Sequence, residues 1–291
     1  MATPSVKGFV IFSDVFKKVF LLLVVTRGLA GAHGRRYYGL TTIGGLAMIL
    51  LFTDFGLEGP YTGQVKAVLW RRAPGIPVID LFADAPGPRE AAYLLAAYAA
   101  WFDPGSVFLG VVDPGVGGDR PAVALRADGR WFVGPGNGLF ELVGRRAAVL
   151  ESYSIPAPAA PVAASFHGRD IFAPVAAALA AGRPAAEIGL VPRLPGPADP
   201  GPDWPDDLPA IVYVDRFGNA VTGLRAETLP ATARLRIGGR VLNAARTFSA
   251  VPPGTAFWYG NSNGLVELAV NLGRADRLLD ADIGTEVEIL V

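Results

Sequence analysis

The 291-residue sequence has no cysteine and only two histidines, His33 and His167. The lack of cysteine excludes disulfide bonds, thiolate nucleophiles and cysteine-ligated zinc. Because the chain holds only these two imidazoles, a metal site built from several histidines is excluded as well. On composition alone, a carboxylate-bound metal held by Asp54, Asp113 and Asp170 stays possible.

Neither sign of charge is in excess, because 26 lysines and arginines balance 26 aspartates and glutamates. The chain therefore lacks the basic field that recruits a nucleic-acid backbone, and we expect no nucleic-acid partner. Long hydrophobic runs are also missing from the first 47 residues. Their uninterrupted apolar run, Val19–Val25, falls far short of the roughly 20 residues that a membrane span needs, and we expect no membrane partner.

Residues 1–47 differ in their sequence pattern from the rest of the chain. A signal peptide is one interpretation, with Lys17 and Lys18 as its basic region and residues 30–32 as its small-residue site. Against it, the basic pair comes late, and Arg27 interrupts the path to that site. We predict instead that the folded protein begins near Met48 and that residues 1–47 are an extension, either disordered or added by a mis-assigned start. On this interpretation the protein is cytoplasmic.

The remaining chain divides into three parts. Residues 48–193 alternate apolar strands with helices, which predicts an α/β domain with a central, mostly parallel sheet. Residues 194–209 contain six prolines and are predicted to be a linker. Residues 210–291 hold short strands and a Gly238-Gly239 turn, which predicts a small antiparallel β-barrel domain. The predicted strands are 48–52, 77–81, 106–112, 122–126, 131–133, 210–214, 233–237, 240–242, 256–259, 265–270 and 286–291, and the predicted helices are 61–72, 89–102, 139–143 and 171–181.

The stretch 111–120, Val-Val-Asp-Pro-Gly-Val-Gly-Gly-Asp-Arg, follows the third predicted strand. Loops outside the carboxyl ends of strands form the binding crevice of open α/β sheets, and glycines there let the backbone approach a ligand. Asp113 and Arg120 are therefore candidate functional residues. A plain proline-glycine turn with solvated charges fits this loop equally well when the loop is considered alone.

Two further polar residues lie at the ends of predicted elements. Asp54 follows the first strand and precedes a helix, where it is either a capping residue or a ligand-binding carboxylate. His167 lies in a polar His-Gly-Arg-Asp cluster at a helix start, although a lone histidine is more often structural. No Walker A loop, G-x-S-x-G, H-E-x-x-H or complete G-x-G-x-x-G sequence is present. A Ser-His-Asp hydrolase would need His167 together with a serine that no pattern identifies.

Six loops, taken in chain order, carry a resemblance to a known family. They are Thr53-Asp54-Phe55-Gly56, 111–120, Gly134-Pro135-Gly136-Asn137-Gly138, Phe166-His167-Gly168-Arg169-Asp170, Asp215-Arg216-Phe217-Gly218-Asn219 and Asn261-Ser262. Together they resemble the S-adenosyl-L-methionine hydroxide adenosyltransferases, also called S-adenosylmethionine hydrolases, which are related to the fluorinase and the chlorinase. The resemblance covers about residues 48–291.

The resemblance implies hydrolysis of S-adenosyl-L-methionine to adenosine and L-methionine, with water or hydroxide attacking the ribose C5′. It also implies an α/β N-terminal domain, a C-terminal β-barrel, and a homotrimer. In that trimer the sites lie between the N-terminal domain of one subunit and the C-terminal domain of its neighbour. S-Adenosyl-L-methionine is then the small-molecule substrate, and we expect neither a cofactor nor a metal.

The family's catalytic Asp-Arg-His set falls on Asp113, Arg120 and His167. Because the leaving group is a neutral thioether, these groups need only position a water and help to deprotonate it. Arg120 would stabilise negative charge on the attacking oxygen, while His167 and Asp113 orient it and help to remove the proton, with the final acceptor left open. The resemblance further assigns the ribose hydroxyls to Asp54, the ribose wall to Phe166, the methionine amino and carboxylate groups to Asp215 and Ser262, the adenine edge to Asn219 and the base face to Phe217 or Phe248.

Two other functions stay open. A halide-dependent, chlorinase-like adenosyltransferase is one, but the halogenases carry a tyrosine in place of Asp113, and the fluorinase has a serine in place of Gly168. A non-catalytic sensor of S-adenosylmethionine or adenosine is the other, and a sensor would be free to lose the Asp-Arg-His set. The chain departs from the family after the second strand, where residues 80–83, Asp-Leu-Phe-Ala, replace Asp-Ile-Thr-His and a shortened loop follows. That loop closes over the substrate in relatives, so we expect altered affinity and lid behaviour.

Overall fold

A computed structural model describes residues 47–193 and 203–290. Almost all of the predicted extension 1–47 and most of the predicted linker 194–209 therefore lie outside the described residues. The N-terminal part contains seven strands and four α-helices in the described range. In chain order these are β1 (Ile49–Thr53), α1 (Tyr61–Arg72), β2 (Val78–Phe82), α2 (Pro88–Ala99), β3 (Val107–Val111), β4 (Ala122–Ala127), β5 (Arg130–Pro135), α3 (Glu141–Arg146), β6 (Leu150–Ser154), a π-helical turn (Gly168–Phe172), α4 (Ala173–Ala180) and β7 (Val191–Arg193).

The seven strands form one sheet in the order β2-β1-β3-β5-β4-β6-β7. Strands β2, β1, β3 and β5 run parallel, whereas β4, β6 and β7 pair antiparallel with their neighbours. Strands β1 and β3 are buried at every position, as expected for central strands that helices cover on both faces. On one face, Phe108 and Phe132 pack against α2 and α3; on the other, Leu51 and Leu109 pack against α1 and α4. The predicted α/β domain with a mostly parallel sheet is confirmed.

In the N-terminal part, three local differences from the predicted elements have physical causes. Strand β6 was not predicted, because all five of its residues are half-buried and its sequence lacks a clear apolar alternation. Strand β7 has three residues, too few for a periodic pattern. The helix predicted at 171–181 begins earlier, as the π-helical turn, and then continues as α4.

The C-terminal part is antiparallel. Its elements are β8 (Leu208–Val214), β9 (Ala220–Arg225), β10 (Arg234–Ile237), β11 (Arg240–Asn243), β12 (Ala256–Gly260), β13 (Leu265–Val270), α5 (Ala275–Leu279) and β14 (Glu288–Leu290). They form a four-stranded sheet, β12-β13-β9-β8, and a three-stranded sheet, β11-β10-β14. The predicted closed barrel is not confirmed, because the strands pair as two sheets that, within the described residues, meet at the isolated bridges Ala210–Glu286 and Ala244–Trp258. The predicted turn between β10 and β11 is confirmed, with positive φ at Gly238 and Gly239.

Hydrogen bonds from α2 and α3 hold the segment that leads into the C-terminal part. The Tyr93 hydroxyl donates to the Pro205 carbonyl at 2.6 Å, and Arg145 Nη1 donates to the Trp204 carbonyl at 2.7 Å. Leu208 and Val221 belong to the same core cluster as the buried side of α2. Within the described residues, no helix is both long enough and apolar enough to cross a membrane.

Candidate functional site

The parallel strands β1, β3 and β5 are neighbours, so their carboxyl ends meet at one edge of the sheet. Asp54 follows β1 directly, Asp113 lies two residues beyond β3, and Asn137 lies two residues beyond β5. The Asp113 backbone N–H donates to Asp54 Oδ2 at 3.2 Å, and Asn137 Nδ2 donates to the Val112 carbonyl at 2.8 Å. These bonds connect the three loops and fix where the carboxylate of Asp113 lies.

Asp113, Arg120 and His167 form a contact chain at this edge. Arg120 donates to Asp113 through two nitrogens, from Nε to Oδ1 at 2.9 Å and from Nη2 to Oδ2 in a shorter bond. The same Nη2 lies 3.0 Å from His167 Nδ1. Asp113 is buried, and the guanidinium of Arg120 lies 5.3 Å from the ring centroid of Phe172, in the π-helical turn. A bidentate, sheltered ion pair of this kind holds both side chains in one orientation.

His167 is held as a neutral imidazole. Because arginine has no acceptor, the contact with Arg120 requires His167 Nδ1 to accept, which places the ring proton on Nε2. Burial lowers the pKa of His167 from its ordinary 6.5, and the positive charge of Arg120 lowers it further, against the opposing charges of Asp113 and Asp170. The arrangement thus offers a fixed cation beside an uncharged base.

Asp54 is open to solvent at the same edge, yet its carboxyl differs from a free one. The surrounding protein removes water from the carboxyl and raises its pKa, and the negative charge of Asp113 acts in the same direction. The hydrogen bond from the Asp113 N–H opposes this shift. An exposed carboxylate beside a buried one is suited to accept hydrogen bonds from a polar ligand.

Close backbone packing explains two glycines of the site. Gly117 has φ +84°, and a Cβ there would lie 2.7 Å from the Ala164 carbonyl oxygen, so a side chain would separate the loop of Arg120 from the segment that leads to His167. A Cβ on Gly168 would lie 3.1 Å from Phe55 Cζ. Both glycines therefore permit the contact between loops on which the Arg120–His167 distance depends.

A first cavity of about 520 Å³, here called the N-terminal cavity, opens beside Asp54. Phe166 contacts Phe55 and Tyr61 edge-to-face, with ring centroids 5.9 and 5.4 Å apart. The Arg169 guanidinium lies 4.9 Å from the Phe166 ring centroid and is held by Asp170. The cavity is lined by Asp54, Phe55, Tyr61, Gln64, Ala163, Ser165, Phe166 and Arg169.

A second cavity of about 920 Å³, the C-terminal cavity, is formed mainly by the four-stranded sheet and its turns. It contains all five C-terminal residues predicted to bind substrate and has no lining residue in common with the N-terminal cavity. The predicted substrate-binding residues therefore fall in two sets, while Asp113, Arg120 and His167 line neither of these two cavities. The C-terminal cavity is lined by Tyr98, Tyr213, Asp215, Phe217, Asn219, Val221, Phe248, Tyr259, Asn261, Ser262, Asn263, Glu267, Val270, Leu272, Gly273 and Arg274.

The turn between β8 and β9 orders two of these residues. Asp215 Oδ1 accepts from the backbone N–H groups of Phe217 and Asn219, both at 2.8 Å, and Oδ2 accepts from Asn219 Nδ2 at 3.0 Å. Asn219 Oδ1 is buried and has no hydrogen-bond partner among the described residues. Phe217 is 73% exposed, and Phe248 packs edge-to-face on Tyr259. The turn thus leaves an acceptor unused and an aromatic face open.

Sequence reasoning missed several residues that line the cavities. The sequence pattern places Arg169 in the polar cluster at the helix start and Tyr61 in a helix, and it indicates a ligand-binding role for neither. Glu267 had a usable signal, since it is the only charged residue in the run Leu-Val-Glu-Leu-Ala-Val of β13. No cluster of three or more histidine, aspartate or glutamate side chains suited to a metal occurs in the described part of the chain.

Comparison with known proteins gives matches along most of the chain. Residues 49–189 match the model of the SAM hydroxide adenosyltransferase N-terminal domain, and residues 209–288 match that of the C-terminal domain. A protein of Thermus thermophilus named (R)-S-adenosyl-L-methionine hydrolase is 43% identical over 262 residues, which cover 83% of this chain and 99% of that protein. A protein of the same name from Salinispora arenicola is 39% identical over 252 residues, 81% of this chain and 95% of that protein.

Solved structures agree with these matches. The crystal structure of an uncharacterized conserved protein from Thermotoga maritima superposes with a TM-score of 0.74 at 32% identity, covering 84% of this chain and all of that one. A conserved hypothetical protein from Thermus thermophilus gives a TM-score of 0.67 at 38% identity, with the same coverage. From both domain models and these relatives, the chain belongs to the SAM hydroxide adenosyltransferase family.

Proposed function

We propose that this protein hydrolyses S-adenosyl-L-methionine to adenosine and L-methionine. The observation that carries the proposal is the contact chain from Asp113 through Arg120 to His167 at the carboxyl edge of the sheet. The name of the relative that is 43% identical supports the substrate. The enzyme is expected to act in the cytoplasm on a small molecule, with neither a cofactor nor a metal.

In the proposed reaction, a water oxygen attacks the ribose C5′ in line with the C5′–S bond. That bond breaks with both electrons going to sulfur, so the sulfonium becomes the neutral thioether of methionine, and the water loses one proton. Arg120, held by Asp113, stabilises the negative charge that develops on the attacking oxygen. Neutral His167 and Asp113 orient the water and receive or relay its proton. Attack of a partly anionic oxygen on a cation reduces charge, so a site with little water favours it.

The substrate contacts extend the proposal to both cavities. Asp54 accepts from the ribose hydroxyls and Phe166 walls the ribose, while Asp215 and Ser262 engage the amino and carboxylate groups of the methionine part. The unused Oδ1 of Asn219 is suited to accept from the adenine amino group, because an unpaired buried acceptor gains most from a new donor. Phe217 or Phe248 covers the base face.

We further propose a homotrimer in which the N-terminal cavity of one subunit faces the C-terminal cavity of its neighbour. The separation of the predicted substrate-binding residues into two cavities supports this assembly. Large apolar side chains beside both cavities are exposed, which is typical of an interface. They are Leu57 and Tyr61 near the first cavity and Phe217 and Leu272 at the second, exposed by 75, 52, 73 and 87%.

Isotope labelling tests the proposed reaction directly. The purified full chain is incubated with S-adenosyl-L-methionine in ¹⁸O-labelled water, with and without chloride, and the products are followed by liquid chromatography and mass spectrometry. We expect adenosine labelled at the 5′ oxygen together with methionine. Chlorodeoxyadenosine would identify a halide transferase instead, and tight binding without any product would identify a sensor.

The pH dependence of kcat/KM follows from His167. The proposed role needs the neutral imidazole, and burial and Arg120 both lower the pKa of His167 below 6.5. Because a lowered pKa keeps the ring neutral to more acidic pH, activity is expected to hold at pH 6.5 and to fall only at lower pH. A rate profile with an inflection clearly above 6.5 would contradict this assignment of His167.

A further inference from the structure

One buried charge in the C-terminal cavity has no part in the proposed mechanism. Glu267 lies on β13, where all six residues are buried, and is itself only 7% exposed. It nevertheless lines the cavity. Because acidic side chains are almost never buried to this extent unless they are paired, its surroundings need an explanation.

The partners of Glu267 are neutral donors. The Tyr259 hydroxyl donates to Oε1 at 2.5 Å, and Asn261 Nδ2 donates to Oε2 at 2.9 Å. None of the ion pairs found within residues 47–193 and 203–290 involves Glu267. The hydrogen bonds satisfy both oxygens, but no ion pair within these residues involves the carboxylate.

The other charged side chains that line the cavity, Asp215 and Arg274, do not form an ion pair with Glu267 either. Asp215 is hydrogen-bonded by neutral groups of its own turn. Arg274 lines the cavity, but it is committed to Asp276 at 3.1 and 2.6 Å and to a backbone carbonyl. Burial, aided by the charges of Glu267, Asp84 and Asp215, raises the pKa of Tyr98 to about 12. The charged side chains that line the cavity among the described residues are thus two carboxylates and one arginine that is already paired, a net formal negative charge.

We infer that Glu267 is the fixed negative charge by which this site selects a sulfonium ligand over the corresponding neutral thioether. The inference rests on the proposed function. S-Adenosyl-L-methionine carries a permanent positive charge on sulfur, whereas S-adenosyl-L-homocysteine has the same adenosine, ammonium and carboxylate groups around an uncharged sulfur. A charge in a sheltered wall acts over several ångströms, so it distinguishes the two without touching the sulfur.

The same charge acts on binding more than on the chemical step. As the C5′–S bond breaks, the sulfur loses its positive charge, so the attraction to Glu267 is greatest in the bound substrate and weakest in the products. An interaction that stabilises the ground state lowers KM and does not raise kcat. Glu267 is thus a specificity-determining residue that also favours release of the neutral thioether product.

Glutamine at this position separates charge from geometry. Its carbonyl oxygen can accept from Asn261, and its amide can donate to the Tyr259 hydroxyl oxygen, so Glu267→Gln keeps both contacts while removing the charge. Glu288→Gln is a matched control, because Glu288 is an exposed carboxylate of the same part of the chain, paired with Arg236 and outside this cavity.

The test is a calorimetric titration of the full chain with each ligand in a His167→Ala background, which slows turnover and removes a neutral group only. When Glu267 is present, we expect the sulfonium ligand to bind at least about tenfold more tightly than the thioether, a difference in binding free energy of about 1.4 kcal/mol. Glu267→Gln should weaken the sulfonium ligand about tenfold and the thioether less than about twofold, with unchanged thermal melting. Glu288→Gln should change neither affinity.

Other outcomes overturn the inference. Equal weakening of both ligands would make Glu267 a merely structural residue. If Glu267→Gln does not fold, the two ligands are compared in the His167→Ala protein that retains Glu267. Equal affinities for the sulfonium and the thioether ligand there would contradict a selective charge. These results leave the labelling experiment untouched, so hydrolysis without sulfonium selectivity overturns this inference only, whereas failure to bind either ligand overturns the proposed function as well.

Discussion

Replacing Asp113 by asparagine should lower kcat for S-adenosyl-L-methionine hydrolysis about 10³-fold, within the range typical of losing a general acid–base or charge-positioning group. The carboxylate holds both Nε and Nη2 of Arg120, and through Arg120 it fixes the group that lies 3.0 Å from His167 Nδ1. An amide keeps one acceptor but loses the charge and the second contact, so Arg120 is no longer held in one orientation. Release of labelled adenosine in ¹⁸O water measures the effect.

Asp119→Asn provides the matched control for Asp113→Asn. Asp119 belongs to the same loop, but its side chain is exposed, and the same chemical change there should leave kcat within about twofold, as for most surface substitutions. Thermal melting of both variants separates loss of chemistry from loss of fold, since Asp113 is buried. If Asp113→Asn kept most of its kcat, the proposed catalytic set would be wrong.

The sequence predicted the N-terminal architecture well because each signal there was local. Strands β1 and β3 are uninterrupted apolar runs, and the predicted helix 61–72 coincides with α1. The sequence also placed Asp54 and Asp113 after two separate strands, but only the strand order of the structure makes β1 and β3 neighbours and brings their carboxyl ends to one edge. Strand β7 could not be predicted from the sequence, because its pairing with β6, and not a pattern in its own three residues, defines it.

The candidate site could be predicted as a list of residues but not as a geometry. No spacing rule indicates that Arg120 contacts Asp113 and His167 at once, because that depends on close packing at Gly117 against Ala164. The role of Glu267 depends on the register of β12 with β13, which sets Tyr259 opposite it. Contacts of this kind come from tertiary packing, which a single sequence does not encode in any short pattern.

Mixing two inactive variants should restore activity if each site is shared between subunits. Asp113→Asn damages the N-terminal half, and Phe217→Ala combined with Ser262→Ala damages the C-terminal half at exposed side chains, where folding is spared. In every trimer that contains both variants, one of the three sites pairs an intact N-terminal half with an intact C-terminal half from the neighbour. Coexpression with two tags and sequential purification should therefore yield mixed trimers with about a third of unmodified activity, whereas each variant alone stays nearly inactive.

The control mixes Asp113→Asn with Arg120→Gln, two variants damaged in the same half. Every site in that mixture contains a damaged N-terminal half, so no recovery is expected although the subunits still exchange. Native mass spectrometry of both mixtures establishes that mixed trimers are present. If they are present and the first pair shows no recovery, both halves of the site must come from one chain. The separation of the two cavities in the single chain would then require a domain movement instead of a neighbouring subunit.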